Sequence, residues 1–235
     1  MLLHDLLNQL TFGELFQLEI GGNNELGIQP VDFPKVIPHI NLGLIELYKR
    51  FPLKIDEVII EQYDQIQTYY LRSKYAQSNI ESKEPIKYIA DSIYKPFKDG
   101  VLRIETVYNE LGEELFVNDN SKQWSVFTPS YDSIQIPMSV TGNAFTVGYR
   151  ASHEYIHSTA LDDKTYEVDI PVGLLEPLLL YIASRMYASL NFDGSGNEGM
   201  SYYQKFEAAC NQVEKQFLYI DNNTPNMKLD IAGWV

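Results

Sequence analysis

DIPVGLLEPLLLYIASRMYASL (Asp169–Leu190) and MSYYQKFEAACNQVEKQFLYI (Met200–Ile220) follow one another in the chain, joined by the polar link NFDGSGNEG. Leu175, Leu178, Leu179, Ile182, Met186 and Leu190 form one apolar stripe; Tyr202, Phe206, Ala209, Val213, Phe217 and Ile220 form a second. Spacing of three and four residues is the period of an amphipathic helix. A short glycine-rich link between two such stripes predicts an antiparallel pair. Asp169 and Pro171 suit a helix start. Glu176 and Arg185 interrupt the most apolar run, Val172–Leu190, so it reads as a helix packed on protein rather than a membrane span.

Working outward, the beginning of the chain is also helical. Leu2, Leu3, Leu6, Leu7 and Leu10 recur at helical spacing, and Thr11 with Glu14 has capping-box spacing for a further turn over TFGELFQLEI, stopped by Gly21 and Gly22. Pro34–Arg50 reads as a helix with Ile37, Ile40, Leu44, Leu47 and Tyr48 on one side, and Pro38 predicts an irregular first turn. The period then changes. LKIDEVIIEQ, QIQTYYLRSKY, WSVFTP, DSIQIP and AFTVGYRA are β-branched and aromatic, broken by Pro and Gly, and read as strands. GVLRIETVYNELGEELFVND reads as a hairpin turning at Asn109–Gly112, and PIKYIADSIYKPF as a short helix or irregular apolar segment. The fold class expected is α+β: a bundle of N-terminal helices (residues 1–52) and the C-terminal pair (169–220), a β-rich body between them (53–168), and an extended C-terminal arm (221–235).

Composition narrows the function. Of the 235 residues 45% are hydrophobic and 21% charged, which is a globular balance. The formal net charge of −14 argues against tight nucleic-acid binding, which needs Lys and Arg to displace counterions. Asp5, Glu14, Glu19, Glu25 and Asp32 lie between Met1 and Pro34 without a Lys or Arg, and Glu105, Glu110, Glu113, Glu114 and Asp119 lie likewise between Ile104 and Ser121. Such stretches are solvated acidic faces or a wall that repels passing DNA. Tyr, at 17 against 2 Trp, suits subunit interfaces and strands alike. The single cysteine, Cys210, lies on a helical stripe and reads as a buried hydrophobe. MLLHDLLNQL has no basic start and no cleavage site, so no signal peptide is expected and a cytoplasmic setting is the default.

One motif points elsewhere. His153-Glu154-Tyr155-Ile156-His157 satisfies H-E-x-x-H, in which two imidazoles four apart on a helix hold zinc and the Glu acts as general base; Asp163 falls where a third ligand is wanted. That chemistry requires a helix. AFTVGYRAS alternates like a strand, and continuing it would turn Glu154 away from the histidines. LDDKTYEVDIP holds no apolar stripe to anchor a helix after Ser152. The expected reading is therefore no metal, no cofactor and no catalytic residues, with a zinc metalloprotease using His153, His157, Asp163 and Glu154 as the alternative. Asp193–Gly199 begins like a calcium loop but has Glu198 where Gly is needed and Gln204 where the bidentate Glu belongs, so it reads as a turn.

The order of elements resembles the head-to-tail adaptor proteins of tailed bacteriophages, especially the tail tubular protein A type of short-tailed phages and their crAss-like relatives. VYNELGEELFVND, VFTPSYDSIQIP, AFTVGYRASHEYI, EVDIPVGLLEPLLLYIASRMYASLN and YYQKFEAACNQVEKQ carry the likeness, over roughly residues 85–220. The resemblance implies a non-enzymatic structural protein of the virion neck, assembled in the bacterial host cytoplasm. It implies a ring, usually dodecameric, below the portal, whose helices pack side by side, whose C-terminal arm reaches the portal and whose other end receives the tail nozzle or a second ring. Double-stranded DNA would pass through without specific contact, and no membrane is involved. Leu175, Leu179, Ile182, Met186, Phe206, Val213 and Phe217 would be the packing contacts and Trp234 the anchor of the arm. Other virion ring or tail-adaptor roles share the same composition.

Overall fold

The computed structural model describes residues 1–18, 26–189 and 196–221, with backbone alone for 217–221. The chain is α+β and divides into two compact units. A helical unit is built from Met1–Leu47 together with Tyr155 onward, and a β unit, Tyr48–Glu154, is inserted between its halves.

In the helical unit α1 (Leu3–Phe12) buries Leu3, Leu6, Leu7 and Leu10. Its end corrects the expected continuation over TFGELFQLEI. Thr11 does not cap a new turn; its hydroxyl donates back to Leu7 O at 2.8 Å, inside the last turn of α1. Gly13 N–H then closes on Gln9 O at 2.8 Å, and turns follow. Gly21 and Gly22 lie outside the described residues. A 3-10 turn at Pro30–Asp32 leads into α2 (Phe33–Arg50), which takes Pro34 in its first turn, where helical N–H groups lack partners in any case, and carries Pro38 inside the helix, where one backbone donor is lost. The N-terminal backbone is also paired: Leu3 N–H donates to Tyr166 O and Val168 N–H to Met1 O, around a Leu2–Glu167 bridge.

The closing pair differs from expectation at the start of each helix. A 3-10 turn at Val172–Leu174 precedes α3 (Leu175–Ser189), so the helix begins after Asp169 and Pro171. α4 (Gly196–Asp221) begins before Met200 and takes in part of the link that reads as a turn. Leu190 and Asp193 lie outside the described residues. α4 passes close to α3 at Gly199, where a Cβ would sit 3.0 Å from Ser184 O and from Ala188 N, tighter than ordinary contact. Gly43 of α2 does the same on another side of α3, where a Cβ would meet Leu178 Cδ1 at 2.7 Å. α3 is consequently not a one-sided stripe. Pro177–Ser184, Met186 and Tyr187 are all buried, which makes α3 the central helix of the unit.

The β unit holds two antiparallel sheets around one core. β3 (Ile89–Ala90), β1 (Ile55–Glu61), β7 (Ala144–Ala151) and β4 (Val101–Tyr108) form a four-stranded sheet in that order; β2 (Thr68–Tyr70), β6 (Ser133–Gln135) and β5 (Phe127–Ser130) form a three-stranded one. Val58, Ile60, Phe145, Val147, Ile104 and Val107 alternate inward from the larger sheet, and Tyr69 and Ile134 face them from the smaller. Pro129 sits in β5, an edge strand, where a missing N–H costs no ladder bond. PIKYIADSIYKPF contributes β3 and a tight turn rather than a helix, and the hairpin turn at Asn109–Gly112 is present with an irregular return arm. The tyrosines have a structural use here. Tyr69 and Tyr88 are fully buried edge-to-face, their hydroxyls donating to Tyr63 O and Tyr70 O and accepting from the same residues' N–H groups.

Candidate interaction surfaces and the HEYIH segment

The HEYIH segment follows β7 and contains no helix. His153 and Glu154 end the β unit, whereas Tyr155, Ile156 and His157 open the second half of the helical unit. His157 has extended backbone (φ −88°, ψ 156°) and leads into a 3-10 turn at Ser158–Asp162. The one-face arrangement that a zinc protease needs is therefore not formed. Each candidate ligand has a local role instead. His153 is half-buried with its ring 5.7 Å from that of Tyr48; burial, aided by Lys54, pushes its pKa down to about 4. Glu154 is exposed and accepts from Lys98 Nζ at 3.2 Å. His157 is exposed beside the Tyr155 ring. Asp163 accepts from Thr165 N–H at 2.8 Å and from its hydroxyl at 2.7 Å, bonds that hold its carboxyl below the usual range. Among the described residues, no three His, Cys, Asp or Glu side chains converge to hold a metal ion.

The residue between the histidines that matters is Ile156. It is buried at the re-entry of the chain into the helical unit, and Asn41 of α2 clasps its backbone from both sides. Asn41 Nδ2 donates to Ile156 O at 2.8 Å, and Ile156 N–H donates to Asn41 Oδ1 at 2.9 Å. Asn41 is itself buried. Sequence reading passed over it, although a polar residue four after Ile37 and one after Ile40 stands on the buried face of a helix and is a signal in itself.

The expected packing contacts lie mostly inside the chain. Leu179, Ile182, Met186 and Phe206 are buried in the helical unit, with Tyr181 and Phe206 rings 5.1 Å apart across α3 and α4. Leu175 and Val213 are half-buried, and Leu175 lines an open cavity of about 470 Å³ with Met1, Leu2, Asp5, Ile170 and Val172. The side chain of Phe217, Trp234 and the arm beyond Asp221 lie outside the described residues. Among the residues of α4 from 197 to 216, Gly199, Phe206 and Cys210 are buried, and Met200, Tyr203, Ala208, Gln212 and Lys215 are exposed.

In the β unit Arg150 of β7 is drawn inward. Its Nη1 donates to Lys49 O at 2.6 Å, and its Nη2 lies 2.6 Å from Glu105 Oε1, an ion pair without hydrogen-bond alignment. Of the first acidic stretch, Asp32 is buried and paired with Lys35 at 2.6 Å, and Glu19 and Glu25 lie outside the described residues. In the second, Glu110, Glu113 and Glu114 are exposed. No helix among the described residues is long and apolar enough to cross a membrane. No family model matches the chain, and no curated protein matches it.

Proposed function

We propose that this chain is a structural virion protein, the head-to-tail adaptor that forms a ring between a phage portal and its tail and lines the DNA conduit. The observation that carries the reading is the insertion of a β unit into a helical unit made from both ends of the chain. It agrees with the helical bundle and β-rich domain implied by the resemblance of the segments from VYNELGEELFVND to YYQKFEAACNQVEKQ. The exposed residues of α4 offer a helical surface to a neighbour in the ring, and the exposed carboxylates of the second acidic stretch suit a duplex that must pass without sticking. The partners are further copies of the chain, probed first as a dodecamer, the portal, and the tail nozzle or a second ring.

The test is light scattering after size exclusion, alone and with portal protein from the same genome, with elemental analysis of the same fractions. A metal-free chain that joins the portal as a multi-subunit ring supports the adaptor, and removal of residues 225–235 should abolish the attachment while leaving a folded subunit. A stable monomer carrying one zinc per chain, with peptide cleavage lost in Glu154→Gln, would overturn the reading.

A further inference from the structure

The cavity of about 470 Å³ in the helical unit has two unlike walls. Asp5, Asn8 and Gln9 of α1 form a polar one, and Leu2, Ile170, Val172 and Leu175 an apolar one. Val172 is 89% exposed, and a Cβ on its neighbour Gly173 would meet no atom within 4 Å. Backbone bonds hold the walls in place. Leu3 N–H donates to Tyr166 O at 2.9 Å, Val168 N–H to Met1 O at 2.7 Å and Leu174 N–H to Pro171 O at 2.9 Å. The cavity is therefore formed before anything enters it, and an occupant loses no affinity to reshaping it.

The route of the chain brings one segment to this cavity. α4 starts beside the end of α3, where Gly199 meets Ser184 and Ala188. Phe206 then packs on Tyr181, and further along α4 reaches the 3-10 turn at Val172–Leu174. α4 thus runs antiparallel to α3 and delivers the chain at the end of the unit that holds Val172 and Leu175. The last turn of α1 leads to the opposite end, where the Tyr187 and Tyr202 hydroxyls donate to Glu14 O at 3.2 and 3.3 Å. Residues 222–235 follow Asp221. A segment of that length extends to about 45 Å at most, against about 22 Å for the whole of α3, so the cavity lies within its reach.

The composition of the segment suits both walls. Met227, Leu229 and Ile231 fall at every second position, and Trp234 and Val235 follow. An indole has a broad apolar face for Ile170, Val172 and Leu175, and one N–H for the amide oxygen of Asn8 or Gln9. Lys228 is the one cation after Lys215, and it answers Asp5, which has no ion-pair partner among the described residues. Tethering also presents the segment at an effective concentration on the order of millimolar, above that of a free competitor. We propose that residues 227–235 of this chain fill the cavity of their own helical unit, with Trp234 on the apolar wall. The inference goes beyond the adaptor reading and does not rest on it; joining a portal through the same residues would require them to leave the cavity first.

Fluorescence of the full-length chain tests it. The chain has 2 Trp, and Trp124 is 64% exposed in the β unit, so Trp124→Phe leaves Trp234 as the only reporter. Its emission should be shifted to the blue of a free peptide of residues 222–235 and quenched several-fold less by acrylamide. Neither property should change on dilution, because a contact within one chain does not depend on concentration. Adding Val172→Asp, at an exposed position, should return both to the peptide values with helical circular dichroism unchanged. A second measurement places p-benzoylphenylalanine at position 172 in a mixture of isotope-labelled and unlabelled chains. Irradiation should join it to residues 227–235 of the same chain. Peptide-like emission in the Trp124→Phe chain overturns the proposal. So does protection that Val172→Asp leaves intact, or a cross-link to another part of the chain. Protection lost on dilution, or cross-links between labelled and unlabelled chains, would assign the cavity to a second copy and overturn docking within one chain. Portal attachment is read separately by light scattering, so the two readings fail independently.

Discussion

Replacing Asn41 should cost the helical unit a large part of its stability. Only a planar amide offers one donor and one acceptor at the spacing of a backbone N–H and C=O, and Asn41 meets both groups of Ile156 at 2.8 and 2.9 Å. In Asn41→Ala both Ile156 groups lose these partners inside the protein. An unsatisfied buried polar group costs about 1–3 kcal/mol, so the pair implies about 2–6 kcal/mol. That is a large share of the roughly 5–15 kcal/mol that holds a domain together. Urea unfolding followed by helical circular dichroism should move its midpoint down by about 1–3 M for a loss near 3 kcal/mol. Asn41→Asp separates the two bonds. Its carboxylate still accepts from Ile156 N–H but faces Ile156 O with no proton to donate, and burial adds to the penalty on the charge. The folded-state pKa of the new Asp is therefore raised above its unfolded value near 4. Relative to wild type, the variant keeps its full stability below about pH 4, loses it as pH rises through the raised value, and stays low above. An Asn41→Ala loss below about 0.5 kcal/mol, or an Asn41→Asp difference that does not change with pH, would refute the clasp.

Gly43→Ala should destabilise the same unit by about 1–3 kcal/mol, because the new methyl meets Leu178 Cδ1 at 2.7 Å and Tyr181 Cδ1 at 3.1 Å. Trimming Leu178 to Ala in the same chain should return part of that loss, read as non-additivity in thermal unfolding; strict additivity would mean that α2 and α3 do not meet there. His153 should remain neutral down to about pH 4 because burial, then Lys54, opposes its charge. Its folded pKa lies below its unfolded value, so the stability tied to it is full above about pH 6.5 and is lost as pH falls through the folded pKa. Side-chain NMR titration checks this, and a His153 midpoint near 6.5 would show that the ring is not held as described.

The α+β class and the order of the elements were legible because apolar periodicity shows wherever one face of an element is buried. Ile37, Ile40, Leu44 and Leu47 on α2, and Phe145, Val147 and Tyr149 on β7, announce their elements directly. Misreadings fell where tertiary contact overrides local preference. Gly196 and Gly199 look like loop residues, yet both lie within α4, where Gly199 lets the helix come close to Ser184 O and Ala188 N of α3. The breadth of α3 burial was hidden because a stripe count does not show how many neighbours surround a helix. HEYIH has the spacing of a zinc site, but spacing carries chemistry only through backbone conformation, and here the backbone is extended. Interfaces were the least legible feature, since residues that pack within a chain and residues that pack between chains have the same composition.

The insertion of one unit into the other also fixes an order of assembly. Every residue of the β-unit core, from Val58 to Ala151, belongs to one continuous stretch. The helical unit, by contrast, joins Met1–Leu47 to residues after Glu154, and its clasp, Asn41 with Ile156, spans that gap. Contacts between distant parts of a chain must meet loop-closure entropy before they gain energy, and an already folded insert shortens that search. The β unit should therefore fold first and independently. A fragment of residues 48–154 should show near-ultraviolet circular dichroism from Tyr69, Tyr88 and Trp124, and a single cooperative unfolding transition. A fragment of residues 1–47 should remain largely unfolded in water, with its leucine faces uncovered. If instead 48–154 lacks fixed aromatic signals while 1–47 folds alone, the two units do not have the independence that their separate cores imply, and the insertion describes only the route of the chain.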